Sequence, residues 1–255
     1  LVKASGDRLV TASAQILLAA IASLPVVIWR GIPWQAGVFL LGSGVVQTIY
    51  LYTLATAYDR AELSFVYPIA RGSAPLIIAL GSLVGLSALP GSVGWLALAL
   101  ICGGVLAMSL ASRARHGLAA SLLTGLLIAI YISIDSAGVK AAGDVFGYTA
   151  ALTVLTALIL VPVLLLLRGT SEVRAALSRD WPRFLGGGIA TLGSYGLLLY
   201  ASRLAPLSLV AAARETGVVF AALGGWWFLG ERIGRVRAGA VLVIAAGMIV
   251  LALSR

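Results

Sequence analysis

Leu63 to Gly72 reads LSFVYPIARG, and Leu207 to Thr216 reads LSLVAAARET. Aligned on Leu63 and Leu207 the two stretches begin alike, and Arg71 falls opposite Glu215. Both belong to long apolar runs, and the charges they carry stand in the middle of hydrophobic spans. A duplicated apolar segment with charge at its centre is the pattern expected of a membrane transporter.

Working outward, the composition agrees. Of 255 residues 61% are hydrophobic and 11% charged, with a mean hydropathy of +1.07, against roughly 45–50% apolar and about 25% charged in soluble domains. The apolar runs reach the roughly 20 residues a helix needs to cross about 30 Å of hydrocarbon, and they lack the short alternation of an outer-membrane barrel. An all-α membrane protein follows, with the lipid bilayer as its first partner. The net charge of +9 comes from Arg and Lys in short loops, where headgroups meet them, so nucleic acid is not expected as a partner. Cys102 is the only cysteine and falls inside a span, which excludes a disulfide framework. The run from Val10 to Trp29 has no small-residue cleavage pattern and reads as a span rather than a signal peptide.

Splitting the chain at charges, prolines and turn residues gives nine spans, at residues 10–29, 36–57, 63–86, 91–111, 118–137, 147–167, 184–203, 207–229 and 236–254. The longest connection, Arg168 to Arg183, reads as a polar surface loop. The repeat extends to the first residues: LVKASGD (1–7) matches GVKAAGD (138–144) at five of seven positions. In the second copy that heptad follows the span 118–137, whereas nothing precedes it in the first. The expectation is therefore a ten-span parent of two five-helix copies, 1–112 and 113–255, with its first helix missing here. An odd number of spans per copy inverts the second relative to the first, and substrate sites in such inverted repeats lie near the midplane. Eight residues separate Leu63 from Arg71 and Leu207 from Glu215, about 12 Å of helix, which brings both charges toward that depth.

The same residues resemble a known family. Tyr200-Ala201, Ala205-Pro206, Leu207 to Val210 and Leu229-Gly230-Glu231-Arg232 ahead of a Gly239 to Gly247 helix look like the EamA-type domain of the drug/metabolite transporter superfamily. Tyr52 to Leu76, with VYPIARGSAPL, is similar to the same domain, and the likeness covers essentially the whole chain. It departs from the family where Leu86-Ser87-Ala88 stands in place of Leu-Gly-Glu. The resemblance implies a ten-helix secondary transporter, often an exporter of amino acids or related metabolites, with helices three, four, six, eight and nine around the cavity.

The candidate site residues follow from charge and polarity at depth. A charge at a helix centre costs about 2.5–3.5 kcal/mol on insertion scales, so Arg71, Arg214 and Glu215 should face protein or water. They read either as substrate or proton ligands or as a structural ion pair, with Glu215 paired to Arg71 in the empty state. Two arginines near the midplane favour a small-molecule substrate with a carboxylate, an amino acid or an organic anion. Arg214 and Glu215 point about 100° apart and should have different partners. Gly217, Ala221 and Gly225 form a small-residue stripe suited to close packing, from which Glu215 should project away. Tyr67 shares a face with Arg71, and Pro68 and Pro75 each remove a backbone donor nearby, giving either a broken helix at a cavity or a packing kink. Tyr131 and Asp135 share a face, and Asp135, close to the end of its span, reads more as a solvated carboxylate than as a ligand. Gln47 and Tyr195 sit mid-span, as substrate contacts or as helix-to-helix hydrogen bonds. Trp226 and Trp227 read as interfacial anchors.

Enzymatic chemistry finds no support. His116, the only histidine, reads as a solvated loop residue, and neither a phosphate-binding loop nor a metal-ligand spacing occurs, so no catalytic residue, metal or cofactor is expected. Secondary-active export by alternating access, with a proton as one coupling ion to consider, is the leading reading. A non-transporting membrane partner of a larger complex and a flippase for lipid-linked substrates are the alternatives, and a homodimer is a further assembly to test. High Ala, Leu, Gly and Arg suits a bacterial inner membrane. Twelve Lys and Arg on one face against Arg30, Lys140, Arg203 and Arg255 on the other would put the C-terminus outside, whereas the family resemblance implies cytoplasmic termini.

Overall fold

The spans are helices, and no strand occurs among the described residues. The structure is a computed structural model that describes residues 8–60, 63–85, 88–108, 117–217, 220 and 234–253. Among the described residues nine α-helices follow one another in chain order: α1 (Arg8–Arg30), α2 (Gly37–Arg60), α3 (Leu63–Ser82), α4 (Ser92–Ala107), α5 (Leu118–Ala142), α6 (Val145–Arg168), α7 (Thr170–Ala201), α8 (Leu207–Arg214) and α9 (Arg235–Leu253). Six of these helices carry segments long and apolar enough to cross a membrane, and Ser92–Ala107 and Ala238–Leu253 are shorter apolar helices. Large apolar side chains such as Ile28, Val38 and Leu166 are more than four-fifths exposed. A bilayer resolves that exposure, because lipid tails cover what water would reject. The chain is a multi-pass membrane protein.

The helix ends follow local chemistry. Gly143 and Gly169 take φ of +73° and +80°, a conformation that only glycine adopts cheaply, and they close α5 and α6. Asp144 then caps α6 by accepting from the Phe146 N–H at 3.0 Å, which satisfies a donor the helix leaves open.

The chain divides into two compact units whose boundaries fall inside α2 and α5: one comprises Leu1–Ala55 and Ile134–Arg203, the other Thr56–Ser133 and Leu204–Arg255. Each takes residues from both halves of the chain. In the first unit α1 packs on α6 and α7, and α6 packs on α7. In the second, α4 packs on α9, α3 and α8, and α3 also meets α8. The core of that second unit gathers Leu98, Ile101, Cys102, Val105, Ala212 and Ile244. Its α4 and α9 approach at glycines: a Cβ on Gly104 would lie 2.7 Å from Ile244 Cγ1, and one on Gly247 would lie 2.7 Å from Ile101 Cγ1.

Three expectations are corrected. The stretch 168–183 is helical rather than a loop, because α7 begins at Thr170. Its charged residues hide an apolar edge: Val173 is buried and Leu177 packs beside it against Leu9, Val10 and Leu164. This first segment meets the membrane segment at a kink, where Asp180 leaves helical geometry at φ −131° and ψ 20°. Pro182 lacks a donor there, and Arg183 donates to Asp180 Oδ1 at 3.2 Å. Secondly, of the two readings open for Pro68 and Pro75 the broken helix falls, because α3 runs through both prolines from Leu63 to Ser82. Thirdly, the span expected over 207–229 ends its first helix at Arg214, and Glu215 and Thr216 form a turn. The heptad 1–7, Leu86-Ser87, His116, Ala221, Gly225, Trp226-Trp227 and Leu229 to Arg232 lie outside the described residues.

Candidate functional site

The residues singled out by charge and polarity fall into two groups, one within each unit. In the second unit Arg71 of α3 faces Glu215 at 3.5 Å between Nη1 and Oε1. The ion pair expected from the aligned repeats is present. Glu215 stands just past the end of α8, where the carbonyl end of the helix dipole disfavours a carboxylate, and the Arg71 guanidinium offsets that. Arg214, half-buried in the last turn of α8, is by contrast well placed on the same dipole.

Exposure of the pair is asymmetric. The Glu215 side chain is 6% exposed and that of Arg71 23%, so the cation is the member a solute reaches first. The Arg71 guanidinium also lies over the Tyr67 ring, 5.5 Å from its centre, and Tyr67 is itself partly exposed. Pro75 has no N–H and withdraws the usual helical donor from the Arg71 carbonyl. Cation, aromatic face and carbonyl therefore gather within two turns of α3.

The first unit holds a second polar centre, and here the structure overturns an expectation. Asp135 is not a solvated carboxylate near a span end: α5 runs on to Ala142, and Asp135 is 0% exposed. Its Oδ1 accepts from the Tyr148 hydroxyl at 2.8 Å. Its Oδ2 accepts from Gln47 Nε2 at 3.2 Å and from the Tyr195 hydroxyl. The Gln47 amide also donates to Ser43 Oγ at 3.1 Å, and Ser43 is fully buried. Four helices, α2, α5, α6 and α7, thus meet on one acid. Tyr131, one turn earlier on α5 and on the second unit's side of the boundary, is buried as well.

Tyr148 is the functional-site residue that the sequence reading missed. A tyrosine buried within an apolar span needs a partner for its hydroxyl, and that rule was available. Its ring reaches Asp135 because Gly138, three residues along α5, leaves space: a Cβ there would lie 2.6 Å from Tyr148 Cε2 and Cζ.

Two other features do not add polar chemistry. A cavity of about 550 Å³ within the first unit is lined by residues such as Ser23, Val26, Phe146, Thr149 and Leu192. It is apolar, and the Ser23 and Thr149 hydroxyls are spent on the carbonyls of Ala19 and Val145. Among the described residues no group of three or more His, Cys, Asp or Glu side chains is placed to hold a metal.

A family model described as the EamA-like transporter family matches residues 115–253. A solved crystal structure of a protein is similar in fold over 100% of this chain and 91% of that one, with a TM-score of 0.71 at 16% identity. Among curated proteins none matches the sequence.

Proposed function

The chain belongs to the EamA-like transporter family, and on that premise we propose that it is a secondary-active transporter exporting a small polar metabolite by alternating access. The reading includes two inverted copies, 1–112 and 113–255, in a bacterial inner membrane. Its substrate class is an amino acid or an organic anion.

The observation that carries this is the Arg71–Glu215 pair. Arg71 lies within α3 and Glu215 just past the end of α8, 3.5 Å apart, a separation at the loose end of ion-pair geometry and longer than a good charge-assisted hydrogen bond. Such a pair presents a cation to a carboxylate and an anion to an ammonium group, the two charges of a free amino acid. When a substrate carboxylate takes the guanidinium, an ammonium group on the same solute pairs with the displaced Glu215, and only then does the desolvated site stay neutral through the exchange. The partly exposed Arg71 and Tyr67 are the approach, and Arg214, Gln47, Tyr131, Asp135 and Tyr195 complete the proposed set of polar groups.

The test is transport by the full-length protein in liposomes, with mass spectrometry of the metabolites taken up from a cell extract. Empty vesicles and Glu215→Gln vesicles are the controls. Selective uptake of carboxylate-bearing solutes, lost in the variant, is the expected result. Uptake by Glu215→Gln at the wild-type rate and pH dependence would sink the role given to the pair.

A further inference from the structure

Two carboxyl groups are deeply buried among the described residues, and they are held in opposite ways. Glu215 has a cation against it. Asp135 has none: its partners are two phenol hydroxyls, one amide and the Ser43 hydroxyl.

Two influences on Asp135 oppose each other. Complete burial without a counter-cation disfavours the ionised form, and the hydroxyl and amide donors aimed at its oxygens favour that form. The partners also work in both states. A tyrosine hydroxyl donates to a carboxylate and can rotate to accept from a carboxylic acid, so the network survives loading and unloading without rebuilding. Larger ligands do not fit this arrangement. With Tyr148 at 2.8 Å and Gln47 at 3.2 Å in direct contact with the two oxygens, no space for a sodium ion or an ammonium group separates the acid from its donors. Tyr195 and Gln47 are only half-buried, and they lead from the buried acid toward the surface of the unit.

The charges around the site are accounted for. The titratable groups that face Asp135 are Tyr148 from α6 and Tyr195 from α7, while α2 contributes the neutral Ser43 and Gln47. On α5 itself Lys140 is exposed. At the helix ends Arg30 and Asp144 pair at 3.6 Å, and Arg203 donates to the Gly143 carbonyl at 3.3 Å.

We propose that Asp135 is the site that carries a coupling proton, with Tyr195 as the residue that hands it on. This rests on the transporter reading above. In loading, Tyr195 gives its hydroxyl proton to Asp135 Oδ2 as it takes one from a hydronium ion, which leaves as water, so one proton enters and the phenol is restored. Unloading reverses the transfer when water reaches Tyr195 from the other side of the membrane.

Infrared difference spectra of the purified full-length protein between acid and alkaline pH, without solute, test the site directly. A carboxylic-acid carbonyl band is expected in the wild type and lost in Asp135→Asn. Tyr148→Phe and Tyr195→Phe keep the acid and are expected to shift both the frequency and the pH midpoint of that band. A band that persists in Asp135→Asn, or that neither phenylalanine variant moves, overturns the proposal.

Coupling is read in liposomes holding a pH-sensitive dye, with an equimolar mixture of the common amino acids as the probe. Proton movement with solute is expected in the wild type and lost in Asp135→Asn. Wild-type solute uptake without proton movement, or driven by a sodium gradient instead, overturns coupling at Asp135 and leaves transport standing. An Asp135 band with no solute movement in any arm overturns the transporter reading and leaves the proton site standing.

Discussion

The Tyr148 hydroxyl donates to Asp135 Oδ1 across 2.8 Å, and the ring that carries it occupies the space left by the missing side chain of Gly138. Acid and glycine lie three residues apart on α5, which puts them on neighbouring parts of one helical face. The polar contact therefore depends on an apolar vacancy beside it.

That dependence gives a test with opposite signs. Replacing an interior helical glycine by alanine gains about 1 kcal/mol of helix propensity. Gly42 in α2 has nothing within 4 Å of its absent Cβ, so Gly42→Ala is expected to stabilise. At Gly138 the new methyl meets the Tyr148 ring at 2.6 Å, and overpacking of this kind costs about 1–3 kcal/mol. Gly138→Ala is expected to unfold at a lower temperature than wild type in detergent, and equal shifts in the two variants would show that the contact is not formed.

The ion pair offers a second prediction. Removing one member leaves a largely desolvated charge, at a cost of about 3–5 kcal/mol, whereas replacing both with apolar residues is often near neutral. Arg71→Met and Glu215→Met are each expected to destabilise strongly, and the double variant by clearly less than the sum. A double-mutant cycle on thermal stability measures the coupling. Strict additivity would mean that the two side chains do not depend on each other.

The spans were legible because hydropathy alone separates about 20 apolar residues from a loop, and the Arg71–Glu215 pair because the aligned repeats set one charge opposite the other. Gln47 and Tyr195 are visible in the sequence as polar residues at depth and Asp135 as an acid in the same kind of span, but nothing in the spacing brings residues 47, 135 and 195 to one point. Asp135 was placed near a span end because the apolar run was closed at residue 137, ahead of Lys140. The helix continues to Ala142, so the acid lies about two turns inside. The helical start of α7 was hidden for a related reason. Glu172 and Arg174 flank Val173, and an average over that window reads polar while one edge packs on Leu9 and Leu164.

Close packing of α4 on α9 can be read through the only cysteine. Cys102 is fully buried in the core that includes Ile101 and Ile244, and Gly247 lets the backbones approach there: its Cβ would lie 2.9 Å from Leu100 Cβ and 3.0 Å from the Ile101 nitrogen. A leucine at 247 must push α9 away from α4, with an overpacking cost of about 1–3 kcal/mol. Gly247→Leu is expected to label faster at Cys102 with a thiol-reactive maleimide than wild type, and to release its thiol at a lower temperature on heating. Unchanged labelling would place Cys102 outside the reach of this interface.

Asp144 serves two partners, and they should prove unequal. Its carboxylate caps α6 through the Phe146 N–H at 3.0 Å and meets Arg30 at 3.6 Å, with side-chain exposures of 31% for the acid and 42% for the arginine. A lost N-cap costs about 1 kcal/mol, while an exposed ion pair is worth roughly 0–1 kcal/mol and weakens with salt. Asp144→Ala is therefore expected to lower stability by about 1 kcal/mol, Asp144→Asn by much less because an amide oxygen still caps, and Arg30→Ala by the least. Thermal melts of the three variants at low and high salt decide it. If Asp144→Asn falls as far as Asp144→Ala, and high salt erases the effect, the charge on Asp144 matters more than its cap.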